Sequence, residues 1–322
     1  MAVSLSSPEA TGGAGTNFEY DVAAILLSRL LRGADIPVGL HAPLARVAFQ
    51  QSNEGYPLDD IVVWGPEDKN GAEPSIQIQV KRHIKVIASD SEFNKVAGAV
   101  VAACNGRPEL IKSRQLLFGL AARPSPTDHL DELAELTAKA RAHSKSDTFG
   151  RLFRERITNA GLRDRLDVVR ATVAGALGTS ADDRTAVDPL THQILLALYV
   201  WPVEEGMDSR DRREEVNSLK LLADAAGQSP DHIMGKLLEI AREFGPRSGN
   251  VDAGRVRAEL ARFDIRLPED AIGIRRPASG TVIHAHDSSK VFHSDRDQHF
   301  GDLYFDGRTP EPGSDDDERR KP

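Results

Sequence analysis

The chain has 322 residues, 40% of them hydrophobic, a formal net charge of −8 and a single cysteine, Cys104. That apolar content can bury one or two ordinary cores, and a lone thiol excludes an intrachain disulfide or a cysteine-rich zinc module. No apolar run reaches the roughly 18 residues of a membrane span, and no basic segment leads into an apolar one near the start, so a cytoplasmic protein without membrane partners is expected.

Residues 1–15 are rich in Ser, Ala and Gly and read as a lead-in. A helix is predicted over 17–32, capped by Thr16 or Asn17, with Phe18, Val22, Ile25, Leu26 and Leu30 on one face and Gly33 at its end. Strands are predicted over 44–51, 58–64 and 76–81. The last two are rich in β-branched residues and are joined by Pro66, Asn70, Gly71 and Pro74, which supply turn chemistry. Ser89-Asp90-Ser91-Glu92 opens a second helix that stops at Asn105-Gly106, and 115–122 is an apolar strand. The order is helix, three strands, helix, strand.

Beyond Arg123-Pro124-Ser125-Pro126 the periodicity is helical almost throughout, over 127–143, 146–159, 163–177, 188–200, 209–226, 229–244 and 251–262, with no strand signal. Six arginines stand against three acids between 151 and 170, a pattern that suits either a DNA-tracking face or the solvated outside of a bundle. The expected organisation is therefore an αβββαβ domain over 1–125, an all-α helical domain over 126–265, and a connector hairpin with a disordered acidic tail over 266–322. Within that last segment His284, His286, His293 and His299, with Asp287 or Asp295, give a thinly supported transition-metal set.

Chemistry concentrates on two predicted strands. Alternation places Ile76, Ile78 and Val80 on one face and Gln77, Gln79 and Lys81 on the other, while Asp59-Asp60 enters the preceding strand. An acid at the mouth of one strand then faces an amide oxygen and an ammonium two residues apart on its neighbour. Hard oxygen ligands suit Mg²⁺, and a lysine can orient water or offset charge on a phosphate. Residues 1–74 carry 4 basic and 10 acidic side chains, whereas 75–123 carry 8 basic and 3 acidic. The acids thus gather where metal would sit and the bases where a phosphate backbone would pass.

With Gly12-Gly13-Ala14-Gly15, Phe18-Glu19-Tyr20, Asp59-Asp60-Ile61-Val62 and Gln79-Val80-Lys81-Arg82 in this order, the first 125 residues or so resemble the PD-(D/E)xK nuclease superfamily in its D…QxK variant. The resemblance is nearest to the double-stranded-DNA nuclease domain of bacterial anti-phage effectors of the CBASS and Avs types. It implies a restriction-endonuclease-like α/β core and a Mg²⁺-dependent endonuclease, with Mn²⁺ able to serve in its place. Asp60, Gln79 and Lys81 would be catalytic, and Asp60, Gln79, Glu19 and Asp59 would hold metal. Arg82, Lys85 and Lys95 would meet the nucleic acid.

A neutral glutamine makes metal binding weaker, so DNA phosphate would complete the coordination. The implied partners are double-stranded DNA, a sensor or activator in trans, and further copies of the chain when active. Glu19 has a second reading, because Thr16-x-x-Glu19 also spells a capping box. The alternative for the whole chain is a non-catalytic scaffold that binds nucleic acid or a partner through its helical part.

Overall fold

The computed structural model describes residues 8–268 apart from 52–54, 156, 207 and 248. The proposed hairpin, tail and histidine set after residue 268 lie outside the described residues.

Helix α1 (Pro8–Arg32) is longer than its periodicity suggests and ends at Gly33, whose φ of +61° suits a residue without a Cβ. Phe18, Val22, Ile25, Leu26 and Leu30 are buried as expected, but so are Ala23, Ala24, Leu27 and Leu31. A helix apolar on most of its circumference must be covered from more than one side. Here the sheet takes one flank, and α10 (Pro230–Phe244) and α11 (Ala253–Ala261) take others.

The sheet consists of β1 (Arg46–Phe49), β2 (Ile61–Trp64), β3 (Ser75–Lys81), β4 (Leu116–Ala122), β5 (Leu198–Pro202) and β6 (Asn250–Asp252). Its spatial order is β5-β4-β3-β2-β1-β6. The β1–β2, β2–β3 and β1–β6 pairs are antiparallel, whereas β3–β4 and β4–β5 are parallel. Ile61 lies opposite Ile78, and Ile78 lies opposite Gly119. The alternation of β3 is realised: Ile76, Ile78 and Val80 join the core beneath α1. On the other face Phe118, Leu120 and Ala122 of β4 pack under α2 (Ser91–Gly106), α4 (Leu130–Ala142), α6 (Ala160–Leu177) and α7 (Arg184–Ala197). Cys104 is buried in this second core, which pushes its thiol pKa up to about 12.

The expectation of a restriction-endonuclease-like core followed by an all-α domain is corrected here. Two strands from the stretch read as wholly helical, β5 and β6, form both edges of the sheet. Helices from that stretch cover both sheet faces, making one α/β/α sandwich on a mixed sheet. Residues 198–200, read as a helix end, are strand because Leu198-Tyr199-Val200-Trp201 finds the exposed edge of β4 to pair with. The stretch predicted as one helix over 209–226 divides at Leu219 into α8 (Arg210–Ser218) and α9 (Lys220–Ala226).

One polar cluster ties α1 to α8. Glu215, only 3% exposed, accepts from Ser28 Oγ at 2.9 Å and pairs with Arg29 at 2.7 Å and Arg32 at 2.5 Å. Removing the carboxylate strands two guanidinium groups and a hydroxyl. Glu215→Ala should therefore cost about 1–3 kcal/mol in denaturant unfolding; an unchanged midpoint would mean that α8 is held by apolar contacts alone.

Candidate active site

Strand β2 is preceded by Asp59 and Asp60, whose backbone carbonyls accept from Gln51 N at 2.8 Å and Gln50 N at 3.0 Å. Because Ile61 faces Ile78, Asp60 falls directly across from Gln79. The Gln79 amide donates to Asp60 Oδ2, and the Val80 backbone N–H donates to the same oxygen at 2.8 Å. Burial pushes the Asp60 pKa up; the Val80 hydrogen bond and the Lys81 charge oppose that shift, and Asp59 adds to it.

Lys81, at the end of β3, pairs with Glu92 Oε2 at 3.3 Å in the first turn of α2. Glu92 also holds Lys95 at 2.7 Å. Those two ammonium groups lower its pKa, the hydrogen bond from Lys95 most.

Glu19 reaches the same place from α1. Its pKa is raised to about 7, first by burial and then by Asp60, with Lys81 opposing and Asp59 adding. The charges of Asp60, Lys81 and Asp59 thus all bear on the Glu19 carboxylate. Thr16 and Glu19 lie well inside α1, which begins at Pro8, so the capping-box reading fails for want of a helix start. Gln50, in the left-handed region at φ +49°, donates its amide to Glu19 Oε2 at 3.4 Å. A non-glycine residue there costs of order 1 kcal/mol, which is found where the surroundings fix a functional conformation.

Gln77 lies one pleat behind Gln79 and is fully buried. Its Oε1 accepts from Leu58 N at 3.5 Å, which anchors the segment leading to Asp59, and its Nε2 has no hydrogen-bond partner. Gln50, Gln77 and Glu92 were not singled out from the sequence. For Gln77 the signal was available, since it shares the Gln79–Lys81 face.

The residues expected to meet nucleic acid are placed less simply. Arg82 donates to Glu205 at 2.9 Å, and Arg123 reaches the same carboxylate at 3.0 Å. Lys85 is exposed, while Lys95 is engaged by Glu92. Arg82, Lys85 and Arg123 border a shallow cleft of about 250 Å³.

Among the described residues no three or more His, Cys, Asp or Glu side chains form a set able to hold a metal ion. The set available here is mixed, namely the carboxylates of Glu19 and Asp60 with the Gln79 amide. It fits a hard dication in charge, because Glu19, Asp59 and Asp60 against Lys81 leave two negative charges when all are ionised; the pKa values of Glu19 and Asp60 are raised first by burial, with the neighbouring carboxylates adding to it. It also fits in donor type, provided the Gln79 amide turns over to present its oxygen in place of the nitrogen now given to Asp60.

No family model and no curated relative matches the chain. It is similar to the Acinetobacter baumannii Cap4 SAVED/CARF-domain containing receptor with the cyclic trinucleotide 3'3'3'-cAAA, at 10% identity and a TM-score of 0.43, covering 77% of this chain and 44% of that one. A second structure of the Acinetobacter baumannii Cap4 SAVED/CARF-domain containing receptor gives 11%, 0.42, 77% and 46%. The Moraxella osloensis Cap4 SAVED/CARF-domain containing receptor gives 10%, 0.41, 78% and 47%. The chain thus spans less than half the length of the receptors it matches. The resemblance to PD-(D/E)xK nucleases is corrected on these findings, since the proteins matched are described as SAVED/CARF-domain receptors and not as nucleases. Its motifs are a few residues each, too short to fix a family without a longer match.

Proposed function

We propose that the chain is a metal-dependent phosphodiester hydrolase that cuts nucleic acid, with duplex DNA as the substrate class. The observation that carries this reading is the meeting of Asp60, Gln79 and Lys81 on one sheet face with Glu19 from α1, all within electrostatic reach of each other. Glu19, Asp60 and Gln79 would hold Mg²⁺ or Mn²⁺, with Asp59 adding negative charge beside them. When bound, the ion would supply Lewis-acid polarisation of the phosphate and a more acidic water.

The remaining work falls to the chain's own groups. Lys81 is oriented by Glu92 and can offset negative charge growing on the scissile phosphate. Gln77 and the Val80 amide hold the Asp60 segment in register, so the carboxylate does not have to be ordered when substrate arrives. A site that cuts duplex DNA without restraint would harm the cell that makes it. Activation by a partner or by self-assembly is therefore part of the same proposal, and a role in defence against phage is proposed alongside it.

The test is to incubate the purified chain with linear duplex DNA and Mg²⁺ or Mn²⁺. Cleavage should appear with either ion and vanish with EDTA. Binding of duplex without cutting under any ion would favour the scaffold alternative.

A further inference from the structure

The arginine-rich stretch singled out in the sequence takes no part in the site above, and it borders a cavity of about 290 Å³ between α5 (Ser146–Arg154), α6 and the start of α7. Four features make it a built site. Arg154 donates to the Asp147 carbonyl at 3.4 Å and has no carboxylate partner among the described residues. It lies across its helix because residue 150 is glycine: a Cβ there would come within 3.0 Å of the Arg154 guanidinium. Arg184, the first residue of α7, sits 3.7 Å from Asp167 and 3.8 Å from Asp188, long pairings that leave it able to turn toward an anion at the positive end of the helix. Thr191, 2% exposed, borders the cavity with a buried hydroxyl that has no hydrogen-bond partner.

The lining also offers acceptors. Pro189 stands inside α7 and lacks an N–H, so the Thr185 carbonyl four residues earlier loses its helical donor. The Asp188 carboxylate, held by Arg170 at 2.8 Å, is a second acceptor. Aspartates between the arginines would repel a run of backbone phosphates, which argues against a DNA-tracking face. A single phosphate with neighbouring hydroxyl donors satisfies both kinds of lining.

We propose that this cavity binds a sugar phosphate, the phosphate on Arg154 and Arg184 and the sugar hydroxyls on Asp188, Thr185 and Thr191. The proposal is independent of the hydrolase reading, because α5, α6 and α7 contribute nothing to the Glu19–Asp60–Gln79–Lys81 set.

Calorimetric titration of the full chain in EDTA, with ribose 5-phosphate, ribose, inorganic phosphate and a short DNA duplex as probes, tests it. Ribose 5-phosphate should bind at least about tenfold more tightly than ribose or phosphate. Arg184→Ala should weaken it by roughly tenfold, the loss expected for one charge-assisted contact. Thr191→Val gives a second readout that a purely structural hydroxyl would not. It should weaken ribose 5-phosphate severalfold while raising the melting temperature of the free chain, because an unsatisfied buried hydroxyl is removed. No binding of ribose 5-phosphate at millimolar concentration, or binding untouched by both substitutions, overturns the proposal. Duplex binding that depends on Arg184 without any sugar phosphate binding overturns it too, in favour of a nucleic-acid contact.

Discussion

Lys81→Ala is expected to slow cleavage of duplex DNA by roughly 10²–10³-fold, the loss typical when one preorganised group that meets developing charge is removed. Lys81 stands at the end of β3, two residues from Gln79, and among the described residues it pairs with Glu92 at 3.3 Å. Both side chains are partly exposed, so breaking the pair should cost no more than about 1 kcal/mol of stability. The fold should therefore survive and the rate should not. Asp60→Asn should be at least as damaging, because it removes the carboxylate that Gln79 and the Val80 amide position while an asparagine oxygen can still accept from that amide. The measurement is single-turnover cleavage with circular dichroism on the same samples. Equal rates for wild type and Lys81→Ala, both folded, would remove Lys81 from the machinery and with it the catalytic reading of this strand pair.

Glu19→Gln should abolish cleavage and, in metal-free buffer, change how stability depends on pH. The Glu19 pKa is raised from 4.5 to about 7, mainly by burial and then by the Asp60 charge. A carboxyl whose folded pKa lies above its unfolded value binds its proton more tightly when folded. Its contribution is therefore full below about pH 4.5 and is lost as pH rises to about 7, where the folded chain must hold a buried carboxylate near Asp60. Glutamine carries no such penalty. The variant should melt at the wild-type temperature below pH 4.5 and at a higher temperature above pH 7. Added Mg²⁺ should raise the wild-type melting temperature at pH 8 and leave the variant nearly unmoved, because an ion that binds only the folded state stabilises it by mass action. Parallel melting curves at all pH values would place Glu19 outside the charged site, whatever the cleavage assay reads.

The local part of this site was legible because it rests on period-two alternation. Gln77, Gln79 and Lys81 had to share a face of β3, and an acid leading into β2 had to come near them if the two strands paired. The core helices were likewise legible from their stripes, with α2, α6 and α10 close to their predicted positions and α1 right at its end but beginning nine residues earlier than expected. Short motifs shared with a nuclease superfamily suggested more than they could carry, as did a run of helical periods that looked like a separate bundle. Neither pattern contains information about which sheet edge is open.

What the sequence by itself determined was the pairing of β2 with β3, the polar face they share, and the apolar faces of the main helices, all fixed by side-chain periodicity within a few residues. Only the tertiary structure decided the rest. β5 and β6 are strands because β4 and β1 offer edges at which five and three residues can pair. Glu19 is not a helix cap because α1 starts about three turns before it. Arg82 and Arg123 share Glu205 because residues far apart in the chain meet there. Each of these depends on a partner more than thirty residues away or on where a helix begins, and local propensity holds neither.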